Sequence, residues 1–153
     1  MAIEITINTD VTKEVLALRQ QIVDQIVQNN NPILLAAASS VLSLVAFRIH
    51  NEGEKADGSK IGSYSNSYMK VRESSKYRRN ADRTIVFSLT KLMELDFTII
   101  EENGNVGLGF NNPHNADKAR WLEERFPGTY LLSDKEDKKV EDVINNYING
   151  IFA

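Results

Sequence analysis

The chemistry-bearing side chains of this sequence concentrate in one stretch. Lys55, Lys60, Lys70, Arg72, Lys76, Arg78, Arg79 and Arg83 fall within residues 55–83, interleaved with Tyr64, Tyr68 and Tyr77. That stretch carries 8 Lys/Arg against 3 Asp/Glu, whereas residues 1–54 carry 3 against 6 and residues 84–153 carry 7 against 12. Clustered cationic groups bind a phosphate backbone through charge alone, and interleaved aromatic rings add surfaces for stacking. The same cluster suits the acidic face of a neighbouring subunit, or a solvated loop guarded by charge. From the residues alone all three readings stay open.

Other groupings are thinner. Gly53 to Lys60 reads GEKADGSK, but Ser59 stands where a phosphate-cradling loop needs its lysine directly after the second glycine. His50 with Glu52 and Glu54, and His114 with Asp117, each offer one imidazole and no second histidine at helical spacing, so no metal site is expected. No G-x-S-x-G elbow accompanies the serines. The pairs Glu101–Glu102 and Glu123–Glu124 are adjacent in sequence and therefore point apart on a strand or a helix. No catalytic residue, cofactor site or enzymatic activity is expected.

The elements that position the basic stretch follow from patterning. With 153 residues, 42% hydrophobic, 25% charged and no cysteine, the chain reads as a single domain, residues 1–153, from a reducing compartment. No basic leader precedes an apolar run at the start, so no signal peptide is expected. Ile3, Ile5 and Ile7 alternate with polar residues as in a half-buried strand. Asp10 then caps a helix whose Val11, Val15, Leu18, Ile22 and Ile26 share one apolar face, with Leu16, Val23 and Val27 alongside, up to about residues 29–31. Pro32 opens a second helix to about His50. Its run Ile33 to Phe47 is apolar nearly all round, yet shorter than the ~20 residues of a membrane span, so a core or subunit-interface helix is expected and no membrane contact.

Residues 51–68, rich in Gly, Ser and Asn and including Asp57 and Gly58, read as a long exposed loop, and residues 69–83 as too polar to build much core. A short strand or a strand-to-helix entry is expected over Thr84–Leu89 and a short helix over Thr90–Leu95. A hairpin follows around Asn103-Gly104, its strands carrying Phe97 and Ile99 against Val106, Leu108 and Phe110. The next helix, Asn115–Phe126, turns Ala116, Ala119, Trp121, Leu122 and Phe126 inward. A last helix is capped by Ser133 with Glu136 and faces the core with Val140, Val143, Ile144, Tyr147 and Ile148. The fold class predicted is α+β, a mainly antiparallel sheet packed with N-terminal, central and C-terminal helices.

In this order the motifs resemble the tail-completion and head-tail joining (neck) proteins of tailed bacteriophages. The resemblance rests on Arg48-Ile49-His50 closing the helical part, Asp57-Gly58 in the loop, and Tyr64-Ser65 with Tyr68 and Lys70 after it. It continues through Leu89-Thr90-Lys91-Leu92, Val106-Gly107-Leu108-Gly109-Phe110 and Leu131-Leu132-Ser133 before the closing helix. Family members commonly have glycine where Lys91 stands and an aromatic residue where Ile61 stands. The resemblance implies a non-enzymatic virion protein, made in the host bacterial cytoplasm. It forms a homo-oligomeric ring, hexameric first and dodecameric as the alternative, between the portal-side connector and the tail proteins, with double-stranded DNA through its lumen. On that reading the eight basic residues, with Asp57, Gly58, Tyr64 and Tyr68 of the loop, contact a neighbouring subunit or the DNA. The residues alone leave two alternatives, a small nucleic-acid-binding module and a host-directed regulatory protein.

Overall fold

The computed structural model describes residues 9–28, 30–74, 76, 82–88 and 90–151. The strand expected over Ile3–Ile7 lies outside them. The fold is α+β: the described residues form six α-helices and one two-stranded antiparallel sheet. Helices α1 (Thr9–Gln28) and α2 (Asn30–Phe47) come first, and α2 runs on into a wider, π-helical turn over Arg48–Glu52. Ile33, Ala37, Val41, Val45 and Ile49 recur every four residues and form the buried stripe of this central helix. By length and composition Pro32–Glu52 is long and apolar enough to cross a membrane. In the fold its stripe packs against the hairpin and the last helix, and Val45 and Ile49 enter a core with Ile61, Ile85 and Phe97.

The hairpin joins β1 (Phe97–Glu102) to β2 (Asn105–Phe110), pairing Phe97 with Phe110 and Glu102 with Asn105. Asn103 and Gly104 take φ of 52° and 79° at the turn. Positive φ at both positions matches the right-handed twist of the strands, which is why Asn-Gly belongs there. The rings of Phe97 and Phe110 lie 5.2 Å apart, with Tyr130 edge-on to Phe110 at 6.0 Å.

Helix α3 spans Asn66–Glu73, α4 Leu92–Asp96, α5 Pro113–Arg125 and α6 Asp134–Ile151. Asn112 caps α5 by accepting the His114 N–H at 3.0 Å, and Pro113 occupies the first turn, where its missing N–H costs nothing. At α6 the expected reciprocal cap forms. The Ser133 N–H donates to Glu136 Oε2 at 2.8 Å, and the Glu136 N–H points back to Ser133 Oγ at 3.4 Å.

Several expectations are corrected. Residues 51–68 are not one exposed loop. Gly53 at φ +64° ends the π-helical turn, Glu54 pairs with Lys60, Ile61 is buried, and residues 66–68 already belong to α3. Within residues 69–83 Met69 and Arg72, three positions apart on one face of α3, are buried. Thr84–Ser88 makes no strand; Thr84 pairs singly with Ser63, and Phe87 at φ +45° breaks the extended run. Trp121 is 57% exposed, because the inward face of α5 is set by Asn115 and Ala119, six and two residues before it and therefore round the helix. Most consequential, Val15, Leu16 and Leu18 of α1 are 58%, 56% and 52% exposed, so the apolar face expected to be buried is uncovered there.

Candidate assembly surface

The surface is organised by one buried arginine. All five guanidinium hydrogens of Arg48 find acceptors: Nε and Nη2 grip the Glu136 carboxylate at 2.9 and 3.1 Å, Nη1 donates to the Glu54 and Thr129 carbonyls at 3.0 and 3.1 Å, and Nη2 to the Leu131 carbonyl at 2.8 Å. The end of α2, the loop at residue 54, the segment after α5 and the start of α6 are thereby tied at one point. Burial works against the Glu136 carboxylate, but the Arg48 guanidinium and the Ser133 groups outweigh it and hold its pKa below the ordinary value. The tie fixes residues 54–60, whose tip carries Asp57 and Gly58 in solvent. There Asp57 accepts from the Ser59 N–H and hydroxyl at 2.8 and 2.6 Å, and these bonds lower its pKa.

The predicted basic residues divide on this frame. Lys60, Lys70, Lys76 and Arg83 are exposed, and Lys55 is half-buried. Lys60 pairs with Glu54 at 2.9 Å, and Arg83 donates to the Tyr64 carbonyl at 3.1 Å. Arg78 and Arg79 lie outside the described residues. Arg72 does not belong to the exposed set. Its guanidinium is buried over the Tyr64 ring, 4.3 Å from the centroid, and donates to the Ser88 carbonyl at 3.0 Å. The apolar ring and the carbonyl draw it inward, and a charge so held offers little to a subunit or to DNA.

Tyr64 and Tyr68 are brought together, ring centroids 5.0 Å apart, and Tyr64 Oη accepts the Val86 N–H at 3.2 Å. Burial raises the Tyr64 pKa. The two rings form one wall of an open groove of about 720 Å³. Phe87, Met93 and, from the end of α5, Trp121, Arg125 and Phe126 line it with them. Phe87 and Phe126 stand 5.7 Å apart, and the Arg125 guanidinium lies 5.6 Å from the Trp121 ring. Among the described residues none of α1 lines the groove. Sequence reasoning missed it because Trp121 was assigned inward and because its two walls lie more than 50 residues apart in the chain.

His50 turns away from Glu52 and Glu54 into the core, where Nδ1 donates to the Val86 carbonyl at 3.2 Å and Nε2 has no partner. Among the described residues no group of three His, Asp or Glu side chains is placed to hold a metal ion. Burial lowers the His50 pKa, against the Val86 carbonyl and the Glu94 charge, which raise it. A base with a depressed folded pKa stabilises the fold above its unfolded value of 6.5. Stability is therefore expected to fall as pH drops below 6.5 and to level off once the folded pKa is passed. Denaturant titrations between pH 7.5 and 5 check this: His50→Gln should flatten that slope, and parallel slopes for both proteins would assign the loss to another group.

No family model, curated protein or solved structure matches the chain, so its functional reading rests on the groove, the exposed basic residues and the uncovered face of α1.

Proposed function

We propose that this protein is a structural subunit of a bacteriophage neck that assembles with copies of itself into a ring, six or twelve subunits round. The ring joins the portal-side connector to the tail around the DNA channel. The observation that carries the self-assembly is the uncovered apolar face of α1. Exposed apolar surface of this kind marks an interaction site, and burying each such side chain is worth ~1.5–3 kcal/mol. Charge polarity supports the same reading, since subunits in a ring meet through two different, complementary surfaces, here a basic middle and acidic flanks. The assignment to the phage neck rests on the motif resemblance alone. The chain performs no catalysis on this reading, and its exposed lysines and arginines face a neighbouring subunit or the DNA in the lumen.

The test is charge reversal in the most basic run. Arg78→Glu with Arg79→Glu is expected to reduce the native mass from the ring to single chains while the circular dichroism spectrum stays unchanged. A double variant that assembles normally removes the electrostatic part of the proposal. Strong, salt-dependent affinity of the isolated monomer for duplex DNA would instead favour a nucleic-acid-binding module.

A further inference from the structure

We infer that α1 of one copy packs side by side and parallel with α1 of the next, and that this contact sets the ring at twelve subunits. The inference rests on the self-assembly reading above and names its contact. From residue 13 to residue 21 every residue of α1 is exposed, and Val15, Leu16 and Leu18 are more than half exposed. Most of a helix's stability in a protein comes from the packing of its apolar face, which this stretch lacks in the single chain.

The way charge flanks the apolar side chains points to a second α1 as the partner. At about 100° per residue, Glu14 and Leu18 fall on one flank of the helix and Leu16 and Arg19 on the other, with Val15 between them. Lys13 and Asp24, the other described charges of α1, lie on the opposite side, where Asp24 accepts from the Gln20 amide at 2.9 Å. A parallel neighbour brings the first flank of one helix onto the second flank of the next. Leu18 then lies beside Leu16, and Glu14 faces Arg19, at every contact. A neighbour turned end for end would set Glu14 against Glu14 and Arg19 against Arg19, so charge selects the parallel arrangement. Two different flanks meet, which makes the contact heterologous, and repeating it closes a ring.

The same flanks fix the number of subunits. Their directions differ by about 150° round the helix. In a closed ring the directions from one subunit to its two neighbours differ by about 150° for twelve members and about 120° for six. Packed helix axes stand about 8–10 Å apart, so twelve helices leave a lumen of roughly 20–30 Å and six leave at most about 10 Å. Only the wider one passes duplex DNA, as the neck reading requires.

Charge reversal within α1 of the full chain tests the inference, with native mass measured at the concentration at which half of the wild-type chain is assembled. Glu14 and Arg19 are exposed, so neither substitution disturbs the core, and circular dichroism checks that each variant keeps its helices. Glu14→Arg alone and Arg19→Glu alone should each leave single chains, because like charges then meet at every contact. Glu14→Arg together with Arg19→Glu should restore the ring, since the two flanks have exchanged charge and are complementary again. Leu18→Glu should leave single chains. The wild-type ring and the restored one should both weigh twelve chains. Rings that survive both single reversals, or a double reversal that restores nothing, overturn the α1 contact and leave the ring reading standing. A ring of six overturns it too, because six helices side by side would close the channel. A chain that is monomeric at every concentration overturns the ring reading itself and the contact with it.

Discussion

Glu136→Ala is expected to destabilise the protein by ~3–5 kcal/mol, a large share of the stability of an ordinary domain. The substitution removes both carboxylate oxygens from Arg48 and leaves a guanidinium in a site where its side chain is 8% exposed. An uncompensated buried charge costs more than the lost contact. The Ser133 N–H at the start of α6 loses its acceptor in the same step. The lowered pKa of Glu136 gives the change a pH signature. A carboxylate with a depressed folded pKa stabilises above its unfolded value of 4.5, and that contribution disappears as pH falls through the folded value. Equilibrium denaturation at pH 7 and near pH 3 should therefore show wild type and Glu136→Ala far apart at the first and closer at the second. A gap at neutral pH below ~1 kcal/mol would put the pair among surface ion pairs and contradict its burial. Replacing both partners, Arg48→Met with Glu136→Leu, should recover only part of the loss, because the carbonyls of Glu54, Thr129 and Leu131 then have no donor.

The second large effect is expected at Gly53. Its φ of +64° is a conformation other residues adopt at a cost of ~1–2 kcal/mol, and a Cβ there would overlap the Ile85 carbonyl oxygen and stand 2.6 Å from Thr84 Cγ2. The first obstacle is backbone and cannot rotate away. Gly53→Ala should cost ~2–4 kcal/mol once the overlap is added to the conformational term. Gly58→Ala separates the two contributions, since Gly58 has φ +78° but nothing within 4 Å of the added Cβ. The unfolding free energies of the two variants should differ by the overlap alone, ~1–2 kcal/mol or about half of the Gly53 effect. Equal losses would mean that Gly53 does not approach residues 84–85 as closely as described.

These two positions also show what the sequence discloses and what it conceals. Asn103-Gly104 and Ser133 with Glu136 act on groups within a few residues, so the hairpin and the start of α6 were legible, whereas α5 begins at Pro113 under its Asn112 cap, two residues before the expected Asn115. The run Ile33 to Phe47 reads as apolar nearly all round, so the four-residue stripe that α2 buries emerges only in the fold. Arg48 reads in sequence only as the polar end of an apolar helix, because its partner Glu136 is 88 positions away. Arg72 counts towards local charge until the Tyr64 ring and the Ser88 carbonyl are seen to hold it inside. The α1 pattern announces an apolar face but not what covers it, since an intramolecular core and an intermolecular seat impose the same spacing. The groove needed two distant segments to be brought together. What patterning did reveal was the polarised charge, of which Lys60, Lys70, Lys76 and Arg83 are exposed.

The central claim is self-assembly, and the native mass of the wild-type chain measures it most directly. Light scattering across concentration, with negative-stain images of the same samples, should give a discrete multiple of 17.3 kDa, six or twelve chains, as closed rings with an open centre. A single species of 17.3 kDa at every concentration would contradict the account.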